Sequence, residues 1–151
     1  MRNARGFTLL EIVVVMVIIA AATTLGAMAA TGGMDRMRVQ SSAKQIAANL
    51  RYARAQAQAR GEPRIFTLNL REHRWTGVDE RQGRIPEDIR ISFTGAREVQ
   101  PRRDEGAIVF FPDGASTGGR VRLASGNARW DVDVKWLTGE VSMTRRREDA
   151  P

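Results

Sequence analysis

The chain has 151 residues, 42% of them apolar, and a formal charge of +7; that length suits one compact domain with an appendage, not two full domains. It contains no cysteine, which excludes a disulfide framework, a thiolate metal site and a cysteine nucleophile. Apart from Lys44 and Lys135 the basic residues are all arginines, a composition that serves nucleic acid, acidic partners or solubility alike and decides among none of them.

Met1 to Gly6 is a short polar head with two arginines, and from Phe7 to Ala30 the chain is apolar except for Glu11. About 20 apolar residues cross the hydrocarbon of a bilayer as a helix, and this run exceeds that. The arginines ahead of it favour a cytoplasmic amino terminus. Cleavage among the small residues Ala20, Ala21 and Ala22, as in an ordinary secretory signal, and an uncleaved anchor are both compatible with this outline. Neither accounts for Glu11, because a carboxylate at mid-membrane costs about 2.5 to 3.5 kcal/mol and needs a partner or a task.

The stretch Arg5-Gly6-Phe7-Thr8-Leu9-Leu10-Glu11 resembles the type III signal of type IV pilins and type II secretion pseudopilins. The resemblance implies cleavage between Gly6 and Phe7 by a membrane aspartyl peptidase, N-methylation of Phe7 by the same enzyme, and a role in assembly for Glu11. The physical chemistry agrees. Cleavage exposes an ammonium whose ordinary pKa is about 7.7 to 8.0. Glu11 lies one helical turn further on, able to pair with its own Phe7 or with that of a staggered neighbour.

From Met34 to Arg60 apolar residues recur at Val39, Ala43, Ile46, Ala47, Leu50, Ala53 and Ala57, the steps of three and four that mark one helical face. Ile46 and Leu50 should face the globular domain, and Gly61 before Glu62-Pro63 signals the stop. A continuous helix from Phe7 to Arg60 would extend about 80 Å. Gly26 and Gly32-Gly33 are its weak points, and two readings of them stand level: a bend or local melting of the helix, or glycines that merely mark the membrane exit.

Beyond Pro63 the period becomes alternating. Strands are expected at Ile65 to Leu70, His73 to Val78, Ile89 to Phe93, Ala107 to Phe111, Val121 to Ala124, Arg129 to Trp136 and Glu140 to Met143, a pattern of stacked antiparallel sheets. In the sixth, Trp130, Val132, Val134 and Trp136 share the face assigned to the core, and Asp131, Asp133 and Lys135 share a solvated face. Two carboxylates so spaced invite a calcium reading, but Lys135 continues their row and no loop of clustered oxygen ligands adjoins them. His73, in a polar stretch, is read as a surface residue without a role.

Phe110-Phe111-Pro112-Asp113-Gly114-Ala115-Ser116-Thr117-Gly118-Gly119-Arg120-Val121, with Val132 to Val141 containing Trp136-Leu137-Thr138-Gly139, is similar to the minor pseudopilin H family of type II secretion systems. The turn chemistry agrees, with Pro112 to Gly119 as a loop and Leu137 to Glu140 as a tight turn, and Pro112, Asp113, Gly114, Gly118, Gly119 and Gly139 as its family positions. No Gly-Lys-Ser or Gly-Lys-Thr follows these glycines, so a phosphate loop is rejected.

The expected fold is therefore α+β and pilin-like: a long N-terminal helix, half membrane and half amphipathic, packed on a C-terminal antiparallel β-sandwich. The boundaries are a leader at 1–6, a transmembrane and assembly helix at 7–30, an amphipathic stem at 31–60 and a periplasmic β-sheet domain at 61–151. No catalytic set, metal cluster or cofactor loop is found, so no enzyme, no cofactor and no metal is expected. The resemblances imply a minor pseudopilin, a structural subunit at or near the tip of the secretion pseudopilus, supporting export of folded proteins across the outer membrane. They imply an inner-membrane, single-pass protein whose partners are other major and minor pseudopilins, the prepilin peptidase and N-methyltransferase, and the inner-membrane assembly platform. The alternative is a FimT-like minor pilin of a type IV pilus, some of which bind DNA during uptake. Arg145, Arg146 and Arg147 cluster near the end as that reading asks, but Glu148 and Asp149 follow at once, so nucleic acid is not the expected partner.

Overall fold

The computed structural model describes residues 9–96 and 104–146, the side chains of residues 24–32 excepted. Gly6 and Phe7, the expected processing junction, lie outside the described residues, as does the tail from Arg147. The chain divides into two units, Met1–Met34 and Asp35–Pro151.

One helix, α1 (Leu9–Arg60), runs through both. In the first unit, the side chains from Leu9 to Thr23 are exposed, and the Thr23 hydroxyl donates back to the carbonyls of Ile19 at 3.0 Å and Ala20 at 2.9 Å. Among the described residues no helix is long and apolar enough to cross a membrane; the side chains of the expected span are described only as far as Thr23. Gly26, Gly32 and Gly33 are all helical, so of the two readings left open for them local melting is not found.

In the second unit the helix buries the stripe that its sequence periodicity marks out. Val39, Ala43, Ile46, Ala47, Leu50, Ala53 and Ala57 are all buried, while Lys44, Gln45 and Arg51 are exposed. Four alanines in the stripe leave room for backbone to approach closely, and Ile46 and Leu50 fill the space between, each worth about 1.5–3 kcal/mol in burial. The helix stops where Gly61 turns to a φ of 67° and donates its N–H to the Ala57 carbonyl at 3.1 Å.

Eight strands follow among the described residues: β1 (Arg64–Asn69), β2 (Arg74–Thr76), β3 (Gln82–Arg84), β4 (Arg90–Gly95), β5 (Glu105–Phe110), β6 (Gly119–Ser125), β7 (Ala128–Val134) and β8 (Val141–Arg146). They form two four-stranded antiparallel sheets, β3-β2-β1-β5 and β4-β6-β7-β8, which approach each other at β4 and β5. Phe66, Leu68, Ile108 and Phe110 from the first, Val121, Leu123 and Val132 from the second, and the helix stripe close into one core.

Three expectations are corrected. β3 has no apolar alternation to announce it; Gln82, Gly83 and Arg84 are strand because they pair with β2, where Gly83 crosses the Trp75 ring so closely that no Cβ would fit. β7 ends at Val134, so Trp136 is not a core residue: it stands 68% exposed, and Trp130 is only partly buried. Asp131 is not solvated; it is 2% exposed beneath arginines of the neighbouring strands.

Candidate functional site

The family turn positions, separated in sequence, meet in space. The chain leaving β5 bends back on itself as Phe111 N–H donates to Ala115 O at 2.9 Å and Gly114 N–H to Phe111 O at 2.9 Å. The Asp113 carboxylate accepts from Ala115 N–H at 2.9 Å, the local bond that makes aspartate a turn residue. The second turn closes through Gly139 N–H to Lys135 O at 2.8 Å and Lys135 N–H to Glu140 O at 3.0 Å. The Lys135 ammonium donates to Glu140 Oε2 at 2.7 Å, a hydrogen bond that holds the Glu140 carboxyl below its usual range.

Ser116 joins the two turns. Its N–H donates to Trp136 O at 2.8 Å, its hydroxyl donates to Lys135 O at 3.1 Å, and the same oxygen accepts from Gly118 N–H at 3.0 Å. The residue is buried, so these bonds are made out of water. Gly139 then seats directly against the Gly114 carbonyl: with a φ of 61°, its missing Cβ leaves room that this oxygen takes, with Arg54 Nε 3.0 Å from where a Cβ would stand.

The helix is tied to the same junction. Arg54 Nε donates to Gly114 O at 3.2 Å, and Arg51 Nη2 donates to Val141 O at 3.0 Å. Ser116 and Arg54 hold the site together, yet nothing in the sequence marks either for it. Ser116 is one small polar residue in a turn motif, and Arg54 reads as a charge on the polar flank of the stem, because helical periodicity does not say what a flank will meet. Pro112, Asp113, Gly114, Gly118, Gly119 and Gly139 are thus brought into one corner, whereas Glu11 lies in the first turn of α1, exposed, in the other unit. Beside the corner, a groove of about 490 Å³ is lined by Gly95, Thr117, Gly118, Val134, Trp136 and Leu137. Trp136 and Leu137 are 68% and 66% exposed, the kind of large apolar pair that anchors protein contacts. Among the described residues no group of three metal-ligating side chains occurs, and Asp131 and Asp133 are engaged by arginines. The arrangement is that of a rigid corner with an apolar rim.

The model of a family described as type II transport protein GspH matches residues 42–138, a stretch that holds the stem from Ser42 onward, Arg54 and the first turn, and ends at Thr138 within the second. The chain belongs to that family. A second model, the prokaryotic N-terminal methylation motif, matches residues 1–30. A type II secretion system protein H of Xanthomonas campestris is 50% identical over 150 residues, covering 99% of this chain and 89% of that protein. Among solved structures, the minor pseudopilin EpsH from the type 2 secretion system of Vibrio cholerae is similar at a TM-score of 0.56 and 12% identity, over 75% of this chain and 99% of that one. The type IV minor pilin FimU of Pseudomonas aeruginosa is similar at 0.52 and 14% identity, over 70% and 91%. At such identities both likenesses speak to fold alone, and the fold they share with this chain is pilin-like α+β.

Proposed function

We propose that the chain is a minor pseudopilin of a type II secretion system, a structural subunit of its filament. The family match from Ser42 in the stem through the first turn to Thr138 carries this reading, and the methylation motif at the amino terminus agrees with it. The relative of 50% identity points to secretion and not to pili, so the FimT-like alternative is not favoured. The family and the motif imply an inner-membrane anchor with a periplasmic domain.

The finer reading takes residues 1–6 as leader, 7–30 as a single-pass membrane and assembly helix, 31–60 as stem and 61–151 as the periplasmic domain. The amino terminus is cytoplasmic before processing, the cut falls between Gly6 and Phe7, and Phe7 is methylated. Glu11 pairs with the new ammonium of its own or a neighbouring Phe7 and so sets register as subunits pack. The subunit sits at or near the filament tip, where it contacts other pseudopilins, and its path there uses the prepilin peptidase and the assembly platform. It performs no chemistry of its own. Trp136 and Leu137, exposed beside the turn corner, suit an apolar contact with a neighbouring subunit.

The test is deletion of the gene in its host. Loss of enzymes from the medium with their accumulation in the periplasm, restored by the wild-type chain, is expected. Intact secretion with loss of twitching or DNA uptake would replace the secretion reading with the pilus one.

A further inference from the structure

The short ribbon of β2 and β3 sets two like charges face to face. Arg74 and Arg84 are registered opposite each other across it. The bonds that flank them, Ile85 N–H to His73 O at 2.7 Å and Gly77 N–H to Arg81 O at 2.7 Å, fix the phase of the ladder. Counted inward by twos from these, Trp75 and Gly83 are a bonded pair, whereas Arg74 and Arg84 form a pair without backbone bonds. At such positions opposed Cα atoms stand about 4.5 Å apart and the side chains come closest. Like charges so placed repel.

Among the described residues no carboxylate answers either guanidinium. Asp79 is held by Tyr52 and Arg60, Asp88 by Arg38 and Asp104 by Arg71. Glu72 and Glu87, in the adjoining turns, form no ion pair with Arg74 or Arg84. Glu105 shares their row but lies two strands beyond Arg74, roughly 10 Å away. Arg74 is partly buried, and its Nε is closed off from solvent without a hydrogen-bond acceptor. The backbone beneath is held firmly. Gly83 lies against the Trp75 ring, which stacks on Phe66 at 5.9 Å, and Asn69 Oδ1 ties the turn ahead of β2 by accepting from Arg71 N–H at 3.1 Å and Glu72 N–H at 2.9 Å. Arg74, Gln82, Gly83 and Arg84 line a cavity of about 200 Å³.

We propose that this cavity binds a single tetrahedral oxyanion of the phosphate type, either the free ion or a phosphomonoester headgroup. A phosphomonoester carries about −1.5 to −2 at neutral pH, which answers two guanidiniums, whereas one carboxylate leaves a charge over. Two planar forks on adjacent strands engage different oxygens of a tetrahedral group. The Gln82 side chain, two residues from Arg84 on the same strand and so on the same face, supplies a further donor. The volume suits one small group and falls short of the roughly 300–1,000 Å³ of sites for larger ligands. A backbone held before binding leaves less to order when the anion arrives. The site rests on the geometry of this ribbon and not on the filament reading.

Full-length chain in neutral detergent micelles, titrated with inorganic phosphate by calorimetry at constant ionic strength, tests this directly. Saturable binding at one site is expected. Arg84→Gln changes an exposed side chain and should weaken binding about tenfold, and Arg84→Lys, which keeps the charge and loses the fork, should also bind more weakly than the parent. Lys44→Gln, on the exposed side of the stem, should change nothing. Urea unfolding gives a second readout: without phosphate the Arg84→Gln midpoint should be no lower than the parent's, because the repulsion is relieved, and phosphate should raise the parent's midpoint but not the variant's. Glycerol 3-phosphate stands for the headgroup, and whichever of it and inorganic phosphate binds more tightly identifies the source; either result supports the site. The proposal is overturned by unchanged phosphate affinity in Arg84→Gln, by an equal loss in Lys44→Gln, or by acetate or poly-L-glutamate binding as tightly as phosphate.

Discussion

At Gly139 a single hydrogen atom decides whether two turns can meet. A Cβ there would occupy the place of the Gly114 carbonyl oxygen, and a φ of 61° is one that other residues resist. Gly139→Ala is therefore expected to destabilise the second unit by about 1–3 kcal/mol, read as a lower midpoint in urea unfolding of the full chain in detergent. Gly33→Ala is the comparison: it is helical, nothing lies within 4 Å of its Cβ position, and its unfolding midpoint should not fall. Asp131 shows the opposite side of residue-scale reading. Its alternation with Trp130 and Val132 correctly puts it on the outer face, but alternation says nothing about the arginines of β6 and β8 that cover it.

At the scale of elements, the stem is the part of the fold most fully written in its sequence. The seven apolar residues that recur at helical spacing are all buried, with Ser42 beside them, because one continuous stripe has only one way to leave water. Leu50→Ala removes most of a fully buried side chain and should cost about 2–5 kcal/mol, while Lys44→Ala on the exposed side should stay within about 0.5 kcal/mol of the parent; thermal unfolding separates them. The helix also holds the loop after β2. Tyr52 donates its hydroxyl to Asp79 Oδ2 at 2.7 Å, Arg60 reaches Asp79 at 3.3 Å, and Arg81 lies over the Tyr52 ring at 4.1 Å. The bond to Asp79 raises the Tyr52 pKa above 10.0. A raised folded value means stability that is fully present below the unfolded pKa and is lost as pH rises through the folded one. Stability should thus fall on alkaline titration beyond about pH 10, and Tyr52→Phe should remove that component of the fall; an unchanged profile in the variant would count against the latch. β3, by contrast, is a strand only because β2 offers it an edge, and no local preference of Gln82, Gly83 or Arg84 announces that partner.

For the whole molecule, the expectations concern how subunits come together. Glu11→Ala should leave a chain that is processed and inserted but enters filaments poorly, measured as the fraction recovered in sheared filaments against membranes; normal entry would remove Glu11 from the register role. Mass spectrometry of the mature chain should begin at a methylated Phe7.

By itself, the sequence determined the buried stripe of the stem, seven of the eight described strands in approximate place and the two turns. Each of these rests on local patterning, where a residue's neighbours in the chain are enough to state its physical problem. Only the tertiary structure decided that Gly114 and Gly139 share a corner with Arg54, that Trp136 stands in solvent past the end of its strand, and that Asp131 gathers three arginines. These are meetings between residues far apart in the chain, and which partners meet depends on how strands pair and where the helix lies, information no single segment contains.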